Sequence, residues 1–276
     1  MKKSVYTLFL LFVFIFLFCQ CETARAQNDA SSFYITKRLS ANGEAKLSYA
    51  FPINSNFMKQ NFSNDEVMKY KFFLVTYIGA LARKYKEKET DGVRVSEVTY
   101  FEDVDALGFS ILFENNKKQK IFFENSENTI NTDEKIIKKG IFLQKIIFEI
   151  DFPIKDKESA EDFQSICLLS IDAWAKECKI SAEKKDKIVQ KILKSVFVYD
   201  FSMENGVFKS KKMYKENGFT HNVFEKNLDD IERDEKITFY VQLINKANIY
   251  IAVTILTCLG VAAAIVIIKI KEKRQK

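Results

Sequence analysis

The alternation of apolar and polar residues near the start of the chain predicts two strands joined by a tight turn. Residues 44–51 carry apolar side chains at each odd position from Ala45 to Phe51, with mostly polar residues between them. That period of two is typical of a strand with one buried face. A second segment of strand character over 33–39 precedes it, separated by Ser40-Ala41-Asn42-Gly43. Because Asn-Gly readily adopts the positive φ angles of tight turns, the pattern predicts a β-hairpin.

Three later segments have the spacing of amphipathic helices. The first opens with a capping box over Ser63–Glu66, and its apolar stripe continues to residue 85 before a cluster of cations. The second opens with a similar box over Ser159–Asp162, and the third follows Ser181 as its N-cap. We interpret the aromatic residues of the first stripe as core rather than as a ligand groove, because such stripes usually pack inward.

Further strands are predicted over 93–100, 109–113, 120–123, 141–152, 196–201, 220–224 and 237–244. The polar segment 114–118 predicts a hairpin loop between two of them. Because strands and helices are segregated along the chain, the fold class is α+β with antiparallel sheets. The body over 27–247 forms one domain, or two subdomains with a boundary near 153–158.

The first 26 residues have the three parts of a secretory signal peptide. Lys2-Lys3 precede an apolar stretch over 5–19, and Ala24-Arg25-Ala26 provides the small residues of a cleavage site before Gln27. An uncleaved signal anchor is the alternative. Lipidation is not expected, because no small residue precedes either cysteine of this segment.

The C-terminal segment predicts a membrane span. Ile249–Ile268 contains no charged residue over 20 positions, and at about 1.5 Å per residue it matches the ~30 Å hydrocarbon core. A basic tail over 269–276 follows, and such charges stay on the cytoplasmic side. The expected topology is a type I single-pass protein of the cell membrane, with a transmembrane helix over 248–268 and an extracytoplasmic body.

Composition excludes several classes of chemistry. The net charge of +6 comes from the two ends, so the neutral body offers no basic field for nucleic acid. The single histidine, His221, excludes HExxH zinc hydrolases, and no glycine motif for phosphate occurs. The acidic group Glu102–Asp105 lacks the spacing of an EF-hand and is interpreted as a helix N-terminus or solvated turn. We therefore assign no catalytic, cofactor-binding or metal residues, expect no cofactor, and place His221 in a strand.

Two cysteines remain in the body, Cys167 and Cys178. On one straight helix they lie about 16 Å apart, whereas a disulfide needs Cα atoms about 4.4–6.8 Å apart. A disulfide between them therefore requires the helix to end before Cys178 and the chain to fold back. The alternative is two buried free thiols.

The order of elements along the chain resembles that of the LppM-type membrane-anchored proteins of bacteria. The shared elements are the exported start, the Asn42-Gly43-Glu44 hairpin, the long helix, the segment 93–113 with its Phe101-Glu102-Asp103 turn, and the apolar C-terminal helix with a basic tail. The lipobox cysteine typical of that family is missing. The resemblance implies a cell-envelope α+β domain that contacts lipid or glycolipid, and it brings no enzymatic residues.

The leading hypothesis is a non-enzymatic membrane-anchored domain that binds lipid, glycolipid or protein, or organises the envelope. An alternative is a carboxylate-dependent envelope enzyme such as a glycosidase, which needs two acidic side chains about 5–10 Å apart. A third hypothesis is an accessory subunit of a membrane complex. The expected partners are the bilayer, through the C-terminal helix, and a lipid or membrane protein.

Overall fold

The structure is a computed structural model, and it describes residues 31–124, 132–139, 143–151, 153–154, 156–204, 206–208, 213–232, 236–244 and 246–274. The predicted signal peptide over 1–26 lies outside the described residues. Strands β1 to β12 span, in order, Ser32–Leu39, Ala45–Pro52, Val93–Val95, Thr99–Phe101, Ala106–Phe113, Thr132–Lys139, Leu143–Asp151, Val196–Glu204, Gly206–Phe208, Met213–Glu216, Phe219–Asn227 and Lys236–Ile244. Helices α1 to α6 span Ser55–Asn61, Asn64–Lys86, Asn116–Glu124, Lys157–Glu177, Ala182–Leu193 and Lys246–Arg274.

The strands form two sheets. The larger has eight strands in the order β10-β11-β8-β1-β2-β5-β3, with β4 also paired to β5, and the smaller has the order β6-β7-β12-β9. Strands β1 and β8 are parallel, whereas their other neighbours pair antiparallel. The α+β class is therefore confirmed, but the prediction of antiparallel sheets is wrong because this central pair makes the sheet mixed. Strands from both sides of residues 153–158 belong to this one sheet.

The first hairpin forms where the alternation predicts it, with Leu39 opposite Ala45. Its turn differs from the expected type, because Gly43 has a φ of 92° whereas Asn42 is not among the residues with positive φ. The Asn42 side chain has another use: its Oδ1 accepts a hydrogen bond of 3.1 Å from the backbone N–H of Glu44. The turn therefore combines one glycine conformation with one side-chain cap.

Helices α2 and α4 cover one face of the larger sheet through aromatic rings. Tyr49 of β2 stacks on Tyr85 of α2 with ring centroids 5.9 Å apart, and it lies 5.7 Å from Phe163 of α4. Phe109 of β5 packs on the same Tyr49 ring at 5.3 Å. Tyr49 belongs to the face of β2 that the alternation predicts to be buried, so aromatic packing holds the helices on that face.

The helix starts were predicted with mixed success. The capping box of α2 is present, since Ser63 accepts from the N–H of Glu66 and Glu66 accepts from the N–H of Ser63. Ser181 caps α5 as predicted. The box predicted at Ser159 is wrong, because Asp156 is the N-cap of α4 and accepts from the N–H of Ser159 at 2.9 Å. The helix thus begins at residue 157.

The strand predicted over 120–123 is also wrong, because these residues lie in helix α3. Asn115 provides the physical reason: its Oδ1 accepts a hydrogen bond of 3.0 Å from the N–H of Lys118. The side chain thereby satisfies one of the free N–H groups that begin a helix. A segment interpreted as a polar hairpin loop is instead a helix start.

The predicted membrane span is contradicted. Within the described part of the chain, no helix combines the length and the apolar character that crossing a membrane requires. A span needs about 20 consecutive apolar residues. The predictions of a transmembrane helix over 248–268, a single-pass membrane protein and a cell-membrane localisation are therefore corrected.

Candidate functional site

The larger sheet brings five polar side chains into one line on the face opposite α2 and α4. Lys46, Arg38, Ser202, His221 and Tyr214 lie on the adjacent strands β2, β1, β8, β11 and β10, and each is the register partner of the next. Register partners point to the same face of a sheet. We call these five residues the polar row. It contains the single histidine of the sequence, which lies in a strand as predicted.

Asp200 anchors the His221 end of the polar row. His221 Nδ1 lies 3.0 and 3.1 Å from the two carboxylate oxygens of Asp200, and the Tyr214 hydroxyl donates to the same carboxylate at 3.0 Å. The Tyr214 ring stacks on the imidazole with centroids 4.3 Å apart. Because an ionised carboxylate only accepts hydrogen bonds, Nδ1 carries a proton and the imidazole is fixed in orientation.

Two buried polar atoms of the polar row have no hydrogen-bond partner within the described residues. They are His221 Nε2 and Ser202 Oγ, and the two residues are 2% and 0% exposed. Buried polar atoms are nearly always paired, because an unpaired one costs free energy. Two neighbouring residues of the polar row therefore each keep one buried polar atom without a partner.

The other end of the polar row is cationic. Burial and the adjacent Arg38 charge lower the pKa of Lys46 below its ordinary value. The Arg38 guanidinium lies 4.6 Å from the centre of the Phe219 ring. In the described part of the chain, neither cation forms an ion pair with a carboxylate. Two like charges on neighbouring strands thus lie close together without a counter-charge.

The pairing of histidine with aspartate raises the question of catalysis. A serine nucleophile needs its hydroxyl within hydrogen-bond reach of the imidazole. Ser202 lies opposite His221, but neither Ser202 Oγ nor His221 Nε2 has a hydrogen-bond partner among the described residues. The two atoms therefore do not bond to each other, and the structure does not assemble a nucleophile with its base here.

A second distinctive surface lies on α2. Met68, Phe72 and Val75 share one side of the helix and are 71%, 68% and 38% exposed, and Tyr100 beside them is 50% exposed. The Lys71 ammonium lies 5.6 Å from the Tyr100 ring centre and joins the two elements. We call Met68, Phe72, Val75 and Tyr100 the apolar patch. Large apolar side chains this exposed at neighbouring positions often mark a binding surface.

The acidic group Glu102–Asp105 forms a short 3-10 turn, which agrees with its interpretation as a turn. Asp105 has a φ of 47° and accepts hydrogen bonds from the N–H and hydroxyl of Ser55 at 2.7 and 2.6 Å. The carboxylate is therefore engaged at the start of α1. Across the described residues, no three metal-ligating side chains come together.

The two cysteines considered for a disulfide are free thiols in the structure. Cys167 is buried in α4, and burial raises the pKa of its thiol. Helix α4 ends at Glu177, and Cys178 follows as its C-cap, still in the last turn. The chain therefore does not fold back between the two residues.

The sequence interpretation assigned no role to Asp200, Ser202 or Tyr214. A signal for the first two was present, because Asp200 and Ser202 are polar residues two positions apart in the otherwise apolar segment 196–203. Two such positions share one face of a strand. Their pairing with His221 depends on strand register, which the sequence does not display.

Comparison with known proteins gives little further information. No family model matches the chain, and no curated protein matches it either. Among solved structures, the chain is similar to the NMR structure of the folded domain of LppM from Mycobacterium tuberculosis. The identity is 8%, the TM-score is 0.28, and the match covers 81% of this chain and 94% of that domain. The resemblance is faint.

Proposed function

We propose that this chain is a non-enzymatic lipid-binding domain that contacts lipid through the apolar patch. The observation that carries the proposal is the exposure of Met68 and Phe72, at 71% and 68%, on the outer side of a helix whose inner side is buried. Burying one such side chain in hydrocarbon contributes about 1.5–3 kcal/mol. Two or three together are enough for measurable attachment to a lipid surface.

The charges around the apolar patch favour lipid over a protein partner. Lys71 lies against Tyr100, and the last turn of α2 carries Arg83 and Lys84, beside Lys86, which is paired with Glu97. Basic residues near an anionic lipid surface contribute about 1 kcal/mol each. A stable protein interface buries about 800 Å² on each partner, which is more than four side chains supply. Lipid insertion therefore requires less surface than a protein partner does.

Tryptophan fluorescence tests this contact directly. The full chain has a single tryptophan, Trp174, which is completely buried. A Phe72→Trp variant mixed with phosphatidylglycerol vesicles that carry brominated acyl chains should lose fluorescence, because bromine quenches an inserted indole. Ile121→Trp is the matched control, since Ile121 is a 49% exposed apolar residue on α3. Equal quenching of both variants, or quenching of neither, would contradict the proposal.

A second measurement uses affinity. Replacing Met68 and Phe72 together by serine should weaken vesicle binding by about tenfold or more for each side chain removed. Ile121→Ser should leave vesicle binding unchanged. If the double variant binds vesicles as tightly as the unaltered chain, the apolar patch is not the lipid-binding surface.

A further inference from the structure

The geometry of the polar row points to a binding site for an oxyanion of the phosphate class, held between Arg38 and His221 above Ser202. This inference is independent of the lipid-binding proposal, because it rests on the opposite face of the sheet. It follows from the unpartnered buried atoms, from the uncompensated cations and from the path of the Arg38 side chain.

The spacing of the strands gives the site its dimensions. Neighbouring strands are about 4.8 Å apart, so Arg38 on β1 and His221 on β11 lie about two strand spacings apart, with β8 between them. Ser202 is the residue of β8 in that interval. A short side chain flanked by two long ones leaves a recess in the surface of a sheet. That width accommodates a tetrahedral anion with hydrogen bonds on both sides.

The Arg38 side chain covers this recess. Its guanidinium lies over the ring of Phe219, which belongs to β11, so the side chain crosses β8 to reach it. This path accounts for the complete burial of Ser202 beneath a residue that is itself only half-buried. A guanidinium in that position covers a bound oxyanion from above and donates two parallel hydrogen bonds to it.

The two carboxylates nearest the polar row, Asp200 and Glu204, make hydrogen bonds to other groups. Asp200 accepts hydrogen bonds from Tyr214 and His221. Glu204, two residues beyond Ser202 on the same face, accepts from the backbone N–H of Ala41 at 2.9 Å. Both carboxylates are held in place by these hydrogen bonds, and neither forms an ion pair with Arg38 or Lys46 in the described part of the chain.

Hydrogen phosphate fits the two unpartnered atoms better than a carboxylate does. Ser202 Oγ donates its proton to a P–O oxygen. Since Nδ1 of His221 carries the proton that Asp200 accepts, Nε2 of a neutral imidazole is an acceptor, and a P–OH group supplies the matching donor. If the imidazole is protonated, Nε2 donates to a P–O oxygen instead. A carboxylate ion has no hydrogen to give, so the phosphate class satisfies both states.

Calorimetric titration of the full chain with inorganic phosphate tests the site. Arg38→Gln should weaken phosphate binding by about tenfold to a hundredfold, because it removes charge-assisted hydrogen bonds. Arg94→Gln is the matched control: Arg94 faces the same side of the sheet two strands beyond Lys46, and its loss should change the affinity less than about twofold if the site is local. Equal losses in the two variants would show non-specific electrostatics and overturn the inference, as would the absence of phosphate binding.

Ser202→Ala separates ligand binding from structure. Because the hydroxyl is buried without a partner, its removal should leave the free protein at least as stable. The same variant should bind phosphate several-fold more weakly. If Ser202→Ala leaves the phosphate affinity unchanged, the hydroxyl does not face the anion and the site as described is wrong.

A parallel titration with soluble dihexanoyl phosphatidic acid distinguishes the source of the phosphate. Tighter binding than that of inorganic phosphate assigns the site to a phosphate headgroup, and equal binding assigns it to free phosphate. Both results support the oxyanion site, provided that Arg38→Gln lowers the affinity for each of the two ligands. Quenching of the Phe72→Trp variant reports on the apolar patch alone, so either proposal can fail without the other.

Discussion

Trp174 of α4 donates a hydrogen bond of 2.7 Å from its indole Nε1 to the backbone carbonyl of Glu66, in the first turn of α2. The indole is completely buried, and it makes edge contacts with the rings of Phe62 and Tyr70 at 5.0 and 5.5 Å. At the other end of the helix pair, Phe163 at the start of α4 and Tyr85 at the end of α2 both contact Tyr49. The two helices are therefore antiparallel and are fastened at both ends.

Replacing Trp174 by phenylalanine should destabilise the protein by about 2–4 kcal/mol. The substitution removes one buried hydrogen bond, worth about 0.5–1.5 kcal/mol, and leaves space where the larger ring packed. Urea denaturation followed by circular dichroism measures the change. Leu169→Ala on the same helix is the control, because Leu169 is 50% exposed and should cost less than about 0.5 kcal/mol. Equal losses would mean that the indole does not fasten the helices.

Replacing glycine by alanine should have opposite effects on stability at Gly108 and at Gly79. A Cβ at Gly108 of β5 would lie 1.9 Å from the backbone oxygen of Tyr49, whereas a Cβ at Gly79 of α2 would meet only Val98 at an ordinary 3.8 Å. Gly108→Ala should therefore cost about 3 kcal/mol or more, because neighbouring strands must separate. Gly79→Ala should stabilise the protein by about 0.5–1 kcal/mol, since alanine favours a helix. Thermal unfolding of the two variants measures both effects. A Gly108→Ala protein as stable as the unaltered chain would contradict the predicted clash.

Sequence patterns correctly predicted those elements that depend on interactions between residues close together in the chain. The hairpin of β1 and β2 and the capping box of α2 depend on residues that are neighbours in sequence, and both are present. Helix α3 was missed because its apolar run is short and the Asn115 cap resembles an ordinary polar loop. Short apolar runs do not distinguish a strand from a helix by periodicity.

Long-range pairing could not be predicted from the sequence. The parallel pairing of β1 with β8 joins residues more than 160 positions apart, such as Arg38 and Ser202. The polar row exists only because of that register, so its two cations and its histidine looked unrelated in the sequence. A shift of β8 by one residue would turn Ser202 and Asp200 to the opposite face of the sheet.

The capping box of α2 predicts a pH-dependent contribution to stability. Hydrogen bonds from the backbone N–H and the hydroxyl of Ser63 lower the pKa of Glu66 below its ordinary value of 4.5. Because the folded pKa is the lower one, the unfolded state binds more protons, and this contribution is lost as pH falls below about 4.5. In Ser63→Ala, the pKa of Glu66 measured by NMR should rise, and stability at pH 7 should fall by about 1 kcal/mol.

The control for the capping box is Thr76→Ala, because Thr76 is an exposed residue later in the same helix whose hydroxyl donates to the carbonyl of Phe72. That substitution should leave the pKa of Glu66 unchanged. If Ser63→Ala also leaves it unchanged, the reciprocal hydrogen bonds of the box do not form in solution.

Two substitutions in the Asp200 cluster that keep the size of the side chain should destabilise the protein by different amounts. Tyr214→Phe removes one hydrogen bond and keeps the ring stacked on His221, so it should cost about 1.5–3 kcal/mol. Asp200→Asn removes the charge that both Tyr214 and His221 contact, and it places an amide where two donors need an acceptor. Each hydrogen bond to a charged group contributes about 1.5–3 kcal/mol, and Asp200→Asn weakens two such bonds whereas Tyr214→Phe removes one. Urea denaturation at pH 7 should therefore rank Asp200→Asn well below Tyr214→Phe in stability, and the reverse order would show that Asp200 is not the anchor of the histidine.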